Sequence, residues 1–109
     1  MASHEFGIMD RTPCSGENYV DYEPEMYNCI SVDDELIEKV DRDTQDIMCF
    51  WHTIDRPEKG LAYCGITLIP PAALDHMIAL VEDRTELSEL KELLEKAARE
   101  KKFVIHFGI

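Results

Sequence analysis

Apolar residues recur along this chain at two periods, and each change of period marks a boundary between elements. Leu74, Met77, Ile78 and Val81 fall at i, i+3, i+4 and i+7, and Leu87, Leu90, Leu94 and Ala97 carry the helical period onward. That spacing stacks side chains on one face of an α-helix, so it predicts two helices with buried stripes. Pro70-Pro71 opens the first, where a proline's missing N–H costs no hydrogen bond. Asp83–Glu86 breaks the pattern before the second, which runs from about Glu86 to Lys101. A shorter stripe of Leu36, Ile37 and Val40 predicts an earlier helix ending near Arg42. Ser31 or Asp33 is placed to cap its free N–H groups, and Asp33, Asp34 and Glu35 suit the positive end of its dipole. The polar run Asp41–Asp46 reads as its exit loop.

Elsewhere the composition is that of strands. Tyr27–Val32 (YNCISV) and Phe103–Gly108 (FVIHFG) each predict one. Between them, Ile47–Ile69 sets two apolar, β-branched and aromatic runs on either side of DRPEKG, the signature of a β-hairpin. A symmetric loop pairing Asp55 with Gly60 places Trp51 opposite Cys64. One face then collects Ile47, Cys49, Trp51, Ala62, Cys64, Ile66 and Leu68, joined by Ile30, Val32, Phe103, Ile105 and Phe107, and is apolar enough to lie under the helices. The other collects Met48, Phe50, His52, Tyr63, Gly65 and Thr67, with Tyr27, Cys29 and His106. Residues 1–25, with Pro13, Gly16 and Pro24 and no period, read as an irregular arm. Its Phe6, Tyr19 and Tyr22 are expected to cover the second face, which is too aromatic to stand open to water without a reason.

The predicted order is strand, helix, strand, strand, a helix broken in two, strand. It implies a single α+β domain with an antiparallel sheet and helices on one face, preceded by the arm. Over residues 26–109 this order resembles the ferredoxin-like βαββαβ arrangement, which implies the spatial strand order fourth, first, third, second. The resemblance lies in element order alone and brings no function with it.

Charge sharpens the picture. The net charge is −12, and residues 1–46 hold 13 acids against 3 bases while residues 47–109 hold 10 against 8. A field of that sign repels nucleic acid and anionic membrane and attracts basic proteins or cations. The second sheet face has the aromatics of base-stacking sheets but lacks the basic surround that nucleic-acid binding needs. The opening MASHEF fits neither a secretory nor a transit signal, and no apolar run reaches the ~20 residues of a membrane span. Cys14, Cys29, Cys49 and Cys64 show no CxxC spacing and read as reduced thiols in a cytoplasmic protein.

Catalytic chemistry finds no motif. Zinc ligands come in closely spaced pairs, absent here, and His52 and His106 are expected on opposite edges of the sheet, so no metal and no cofactor is predicted. The acidic setting disfavours a cysteine thiolate. Two functional readings follow. The first is a small acidic binding protein of inhibitor or immunity type, not an enzyme, that engages a basic protein. Its contacts would come from the first helix and the loop after it: Asp33, Asp34, Glu35, Glu38, Asp41, Asp43 and Asp46. The second is a small enzyme or small-molecule binder using Phe50, His52, Tyr63, Thr67 and His106 on the second sheet face. A homodimer through that same face is a third, lesser expectation.

Overall fold

The computed structural model describes residues 2–109. The helical stripes fold as their spacing predicts: α1 spans Asp34–Asp41, α2 Pro71–Val81 with Pro71 in its first turn, and α3 Ser88–Glu100. Arg42–Asp46, expected as a plain loop, winds into a 3-10 turn whose Thr44 hydroxyl donates to the Asp41 carbonyl at 2.7 Å. The strands are β1 (Ser3–Ile8), β2 (Ile30–Asp33), β3 (Met48–Trp51), β4 (Pro57–Lys59), β5 (Ile66–Ile69) and β6 (Val104–Phe107). They make one six-stranded sheet in the order β2-β1-β6-β5-β3-β4, with every neighbouring pair antiparallel. The chain is thus an α+β domain.

Three expectations are corrected. The arm is not irregular from its start, because Ser3–Ile8 is a strand inside the sheet, paired on both sides. By entering between β2 and β6 it pushes the first predicted strand to the sheet edge. The ferredoxin-like spatial order is therefore not the one observed: the last strand lies between β1 and β5. The hairpin also closes differently. Thr53 accepts the Asp55 N–H at 3.2 Å, a local turn that competes with a longer loop. The chain thus reverses over His52–Arg56, and Pro57–Lys59 pairs back on β3 as β4. The chain then crosses to the other side of β3, where Trp51 pairs with Thr67 rather than with Cys64. That register differs by an odd number of residues, so every β5 side chain changes face.

The core is consequently split in two. Under the helices lie Phe6, Val32, Ile37, Ile47, Cys49, Ile69, Leu74, Leu87, Leu94 and Val104. The opposite face carries Ile66, Leu68, Ile105 and Phe107, all expected beneath the helices. It is closed by Met9, Tyr19 and Tyr27 from the arm and by Phe50 and Phe103, with Tyr22 edge-on to Phe107 at 5.6 Å. Arm cover was thus rightly expected, with Tyr19 and Tyr22 in it, but Phe6 faces the helices. Gly7 permits the approach: a Cβ there would lie 2.7 Å from Cys29 Sγ and from Tyr27 Cβ. Cys64, expected in the core, is exposed, Trp51 is half-buried, and all four cysteines are free.

Candidate functional site

Alternation along β1 points His4, Phe6 and Ile8 toward the helices, and the pairing Phe6↔His106 and Thr67↔His106 brings three strands' polar residues together beneath α1. His4, Thr67 and His106 are each fully buried. Buried polar groups persist only when hydrogen-bonded, and here the bonds form one chain. Thr67 Oγ1 accepts the Ala62 N–H at 2.7 Å and lies 3.0 Å from His106 Nδ1. His106 Nε2 is 2.8 Å from His4 Nδ1, and His4 Nε2 is 2.9 Å from Asp34 Oδ1. The chain ends on a carboxylate that only accepts and on a hydroxyl that can both donate and accept. His106 stays neutral in the fold, and His4 stands between it and the Asp34 carboxylate, within hydrogen-bond distance of both. The two rings stack with centroids 5.1 Å apart.

The chain surfaces at Asp34, on the first turn of α1. Asp33 stands at the N-cap position but makes no side-chain cap bond. The Asp34 N–H donates instead to the Ala2 carbonyl at 3.1 Å, and its carboxylate turns in to His4. The Tyr63 hydroxyl donates to the same Asp34 oxygen and lies 3.3 Å from Glu38 Oε1. Tyr63 is held there by its backbone: the Ile109 N–H donates to its carbonyl at 3.0 Å, and a Cβ on Gly108 would collide with that carbonyl.

The titrations follow. Hydrogen bonds from Tyr63 and then His4 hold the Asp34 carboxyl below its usual range, and the same bond to Asp34 raises the Tyr63 hydroxyl. Burial, with His4 beside it, pushes His106 down to about 3, so that it stays neutral in the fold. Burial raises the Asp41 carboxyl, only partly offset by His4, and its Oδ1 is buried with no hydrogen-bond partner.

The predicted site residues therefore separate. Asp33, Glu35, Glu38, Asp43 and Asp46 point outward, whereas Asp34 and Asp41 are half-buried, Asp34 turned in to His4 and Asp41 with its Oδ1 buried. The proposed ligand face does not exist as one surface. Phe50 packs on the arm side, and His52 donates from Nδ1 to the Tyr19 carbonyl at 3.0 Å. Thr67 and His106 lie under the helices, and Tyr63 reaches across to α1. His4 was missed altogether. Its alternation with Phe6 and Ile8 was the available signal, obscured by Glu5 and Gly7. A hydroxyl, two imidazoles and a carboxylate in series are the groups that would activate a nucleophile, but neither the Thr67 oxygen nor either imidazole has open surface. In this conformation the chain orients groups and links three strands to α1. No group of three or more His, Cys, Asp or Glu among the described residues is arranged to hold a metal ion. Among the described residues, no helix is long and apolar enough to cross a membrane.

No family model, curated protein or solved structure matches this chain.

Proposed function

We propose that the protein is a non-catalytic binding protein of inhibitor or immunity type, working in the cytoplasm. It engages a basic protein partner through the outward carboxylates of α1 and the turn after it. The observation that carries this reading is the state of Asp33, Glu35, Glu38, Asp43 and Asp46. All five are exposed within fourteen residues, and none forms a salt bridge among the described residues, although Lys39 and Arg42 lie in the same segment. By contrast, Glu17 and Asp10 are paired, with Arg11 and Lys102. Unpaired surface carboxylates on a rigid element steer a basic surface into place and quicken encounter more than they tighten the complex. The inward Asp34 and Asp41 fall out of the contact set and serve to seat the helix. Four free thiols fit the cytoplasmic setting.

The test is capture of basic proteins from the native host at low salt, repeated with Glu35→Lys, Asp43→Lys and Asp46→Lys combined. A control reverses Asp75, Glu82 and Asp83, which are equally exposed but distant in sequence. Wild type and control should retain a partner that the α1 variant loses, with the association rate falling as salt rises. Equal capture by all three proteins would overturn the reading.

A further inference from the structure

The sheet has two edges, and they are finished differently. At one, β4 is three residues long and made of Pro57, Glu58 and Lys59, residues that discourage another strand from pairing. At the other, β2 reads Ile-Ser-Val-Asp and has a neighbour, β1, on one side only. The Asp34 N–H to Ala2 carbonyl bond sets the phase of that pairing. It makes His4↔Val32 and Phe6↔Ile30 the hydrogen-bonded pairs, and Ser3↔Asp33 and Glu5↔Ser31 the pairs between them. The backbone N–H and C=O of Ser31 and the N–H of Asp33 therefore point away from the sheet, and they find no partner among the described residues.

These groups open into a trough. Val32, Leu36, Leu87 and Leu90 give it an apolar floor, and Asp33, Glu86 and Glu89 stand around it with no base among its lining residues; its volume is about 170 Å³. Glu89 also lines a larger groove of about 680 Å³, which has Ile30 and Leu93 and both acids and bases (Arg11, Lys96 and Lys102) along it. None of these three carboxylates is in a salt bridge among the described residues.

We propose that the β2 edge takes an extended segment of the basic partner as a seventh strand, an inference that rests on the function proposed above and says how that partner sits. Main-chain bonds would run to Ser31 and Asp33, as in other strand-addition complexes. Side chains of the added strand alternate between faces. Those on the helix side meet Val32, Leu87 and Leu90 and should be apolar. Those on the other side stand beside Asp33 and Glu5 and should be lysine or arginine. Charge selects this occupant over a second copy of the chain, which carries a net charge of −12 and would bring acids to acids.

The probe is a capped ten-residue peptide alternating lysine and valine, with a glutamate–valine peptide as control, titrated into isotopically labelled protein at low salt. Two variants separate charge from hydrogen bonding. Asp33→Asn keeps the N–H, while Asp33→Pro removes it at a residue whose φ of −56° suits proline. The basic peptide should slow amide exchange at Ser31 and Asp33, and Asp33→Pro should bind it about three- to tenfold more weakly than Asp33→Asn. If the peptide moves only the amides of Glu35, Asp43 and Asp46 and the two variants bind alike, edge docking is wrong while the acidic-helix reading survives. If the peptide perturbs neither surface, or the acidic peptide binds equally, the inference fails. Self-association abolished by Asp33→Pro would overturn it in favour of a second copy.

Discussion

The two faces of the sheet are closed by different means. On one side α1, α2 and α3 lay regular apolar stripes over Phe6, Ile69 and Val104, with a polar chain from Thr67 to Asp34 set among them. On the other, an arm without helix or strand from Met9 to Glu23 covers Leu68, Ile105 and Phe107 with tyrosines and a methionine. Helices bring their own backbone bonds, so the space beneath them is fixed before side chains fill it. The arm has few such bonds, and follows whatever it covers. The helix face should accordingly resist change, while the arm face adjusts.

Matched truncations probe that difference most strongly. Leu94 and Leu68 are both fully buried, one beneath the helices and one beneath the arm. Leucine-to-alanine changes in cores cost about 2–5 kcal/mol, and the spread reflects how far the surroundings collapse into the cavity. Leu94→Ala should cost about 4 kcal/mol and Leu68→Ala about 2, read from denaturant unfolding at equal slope. Equal losses would mean that the arm packs as rigidly as a helix.

The same contrast explains how much could be read from sequence. The helices were legible because a 3.6-residue stripe needs no knowledge of its partner. Strands within Tyr27–Val32, Phe103–Gly108 and both hairpin runs were legible for a similar reason, though Tyr27 closes a 3-10 turn and the second run is a strand only over Ile66–Ile69. The assignment of faces was not. β5 and β6 are buried on both sides, so alternation gives their parity and nothing marks which parity meets the helices. Thr67 and His106 fell on the helix-free face because the symmetric hairpin register made the other face the more apolar one. Their hydrogen bonding beneath the helices depends on His4, which lies 102 residues from His106 in the chain. β4 was illegible because Pro57, Glu58 and Lys59 have no strand propensity and pair only as an edge. Of the candidate site, the outward acids of α1 and its turn were legible as charge. The inward turn of Asp34 and Asp41 was not, since it follows from where β1 lies.

Acid should act through the helix face next. His106 is held at about 3 in the fold against an ordinary 6.5, so below the ordinary value the unfolded chain takes up a proton that the fold refuses. Stability is complete above 6.5 and falls as pH drops toward 3. The depressed Asp34 carboxyl acts in the same direction at lower pH: its stabilisation is present above the usual carboxylate range and lost as pH falls through its folded value. Between about pH 7 and about pH 5 the histidine alone predicts a loss of about 2 kcal/mol. A denaturation midpoint that is unchanged over that interval would show that His106 is not held neutral.

The arm face offers a smaller effect, and a local one. The Asp55 carboxylate, in the turn after β3, accepts from the Ser15 hydroxyl at 2.6 Å and the Gly16 N–H at 2.7 Å. Those bonds hold its pKa below the usual range, Ser15 contributing most. They tie the arm to the hairpin from outside, in open solvent, where such contacts add little to global stability. Asp55→Ala should thus leave the unfolding midpoint nearly unchanged. Exchange at the Gly16 amide and proteolysis between Asp10 and Glu23 should nonetheless speed up severalfold, because opening there is local rather than global. Wild type should show the same loosening as pH falls through the Asp55 folded value, with the helix-face amides still protected. Were Asp55→Ala instead to lower the midpoint as much as Leu68→Ala, the arm would be cooperative with the sheet, and the two faces would differ in shape but not in rigidity.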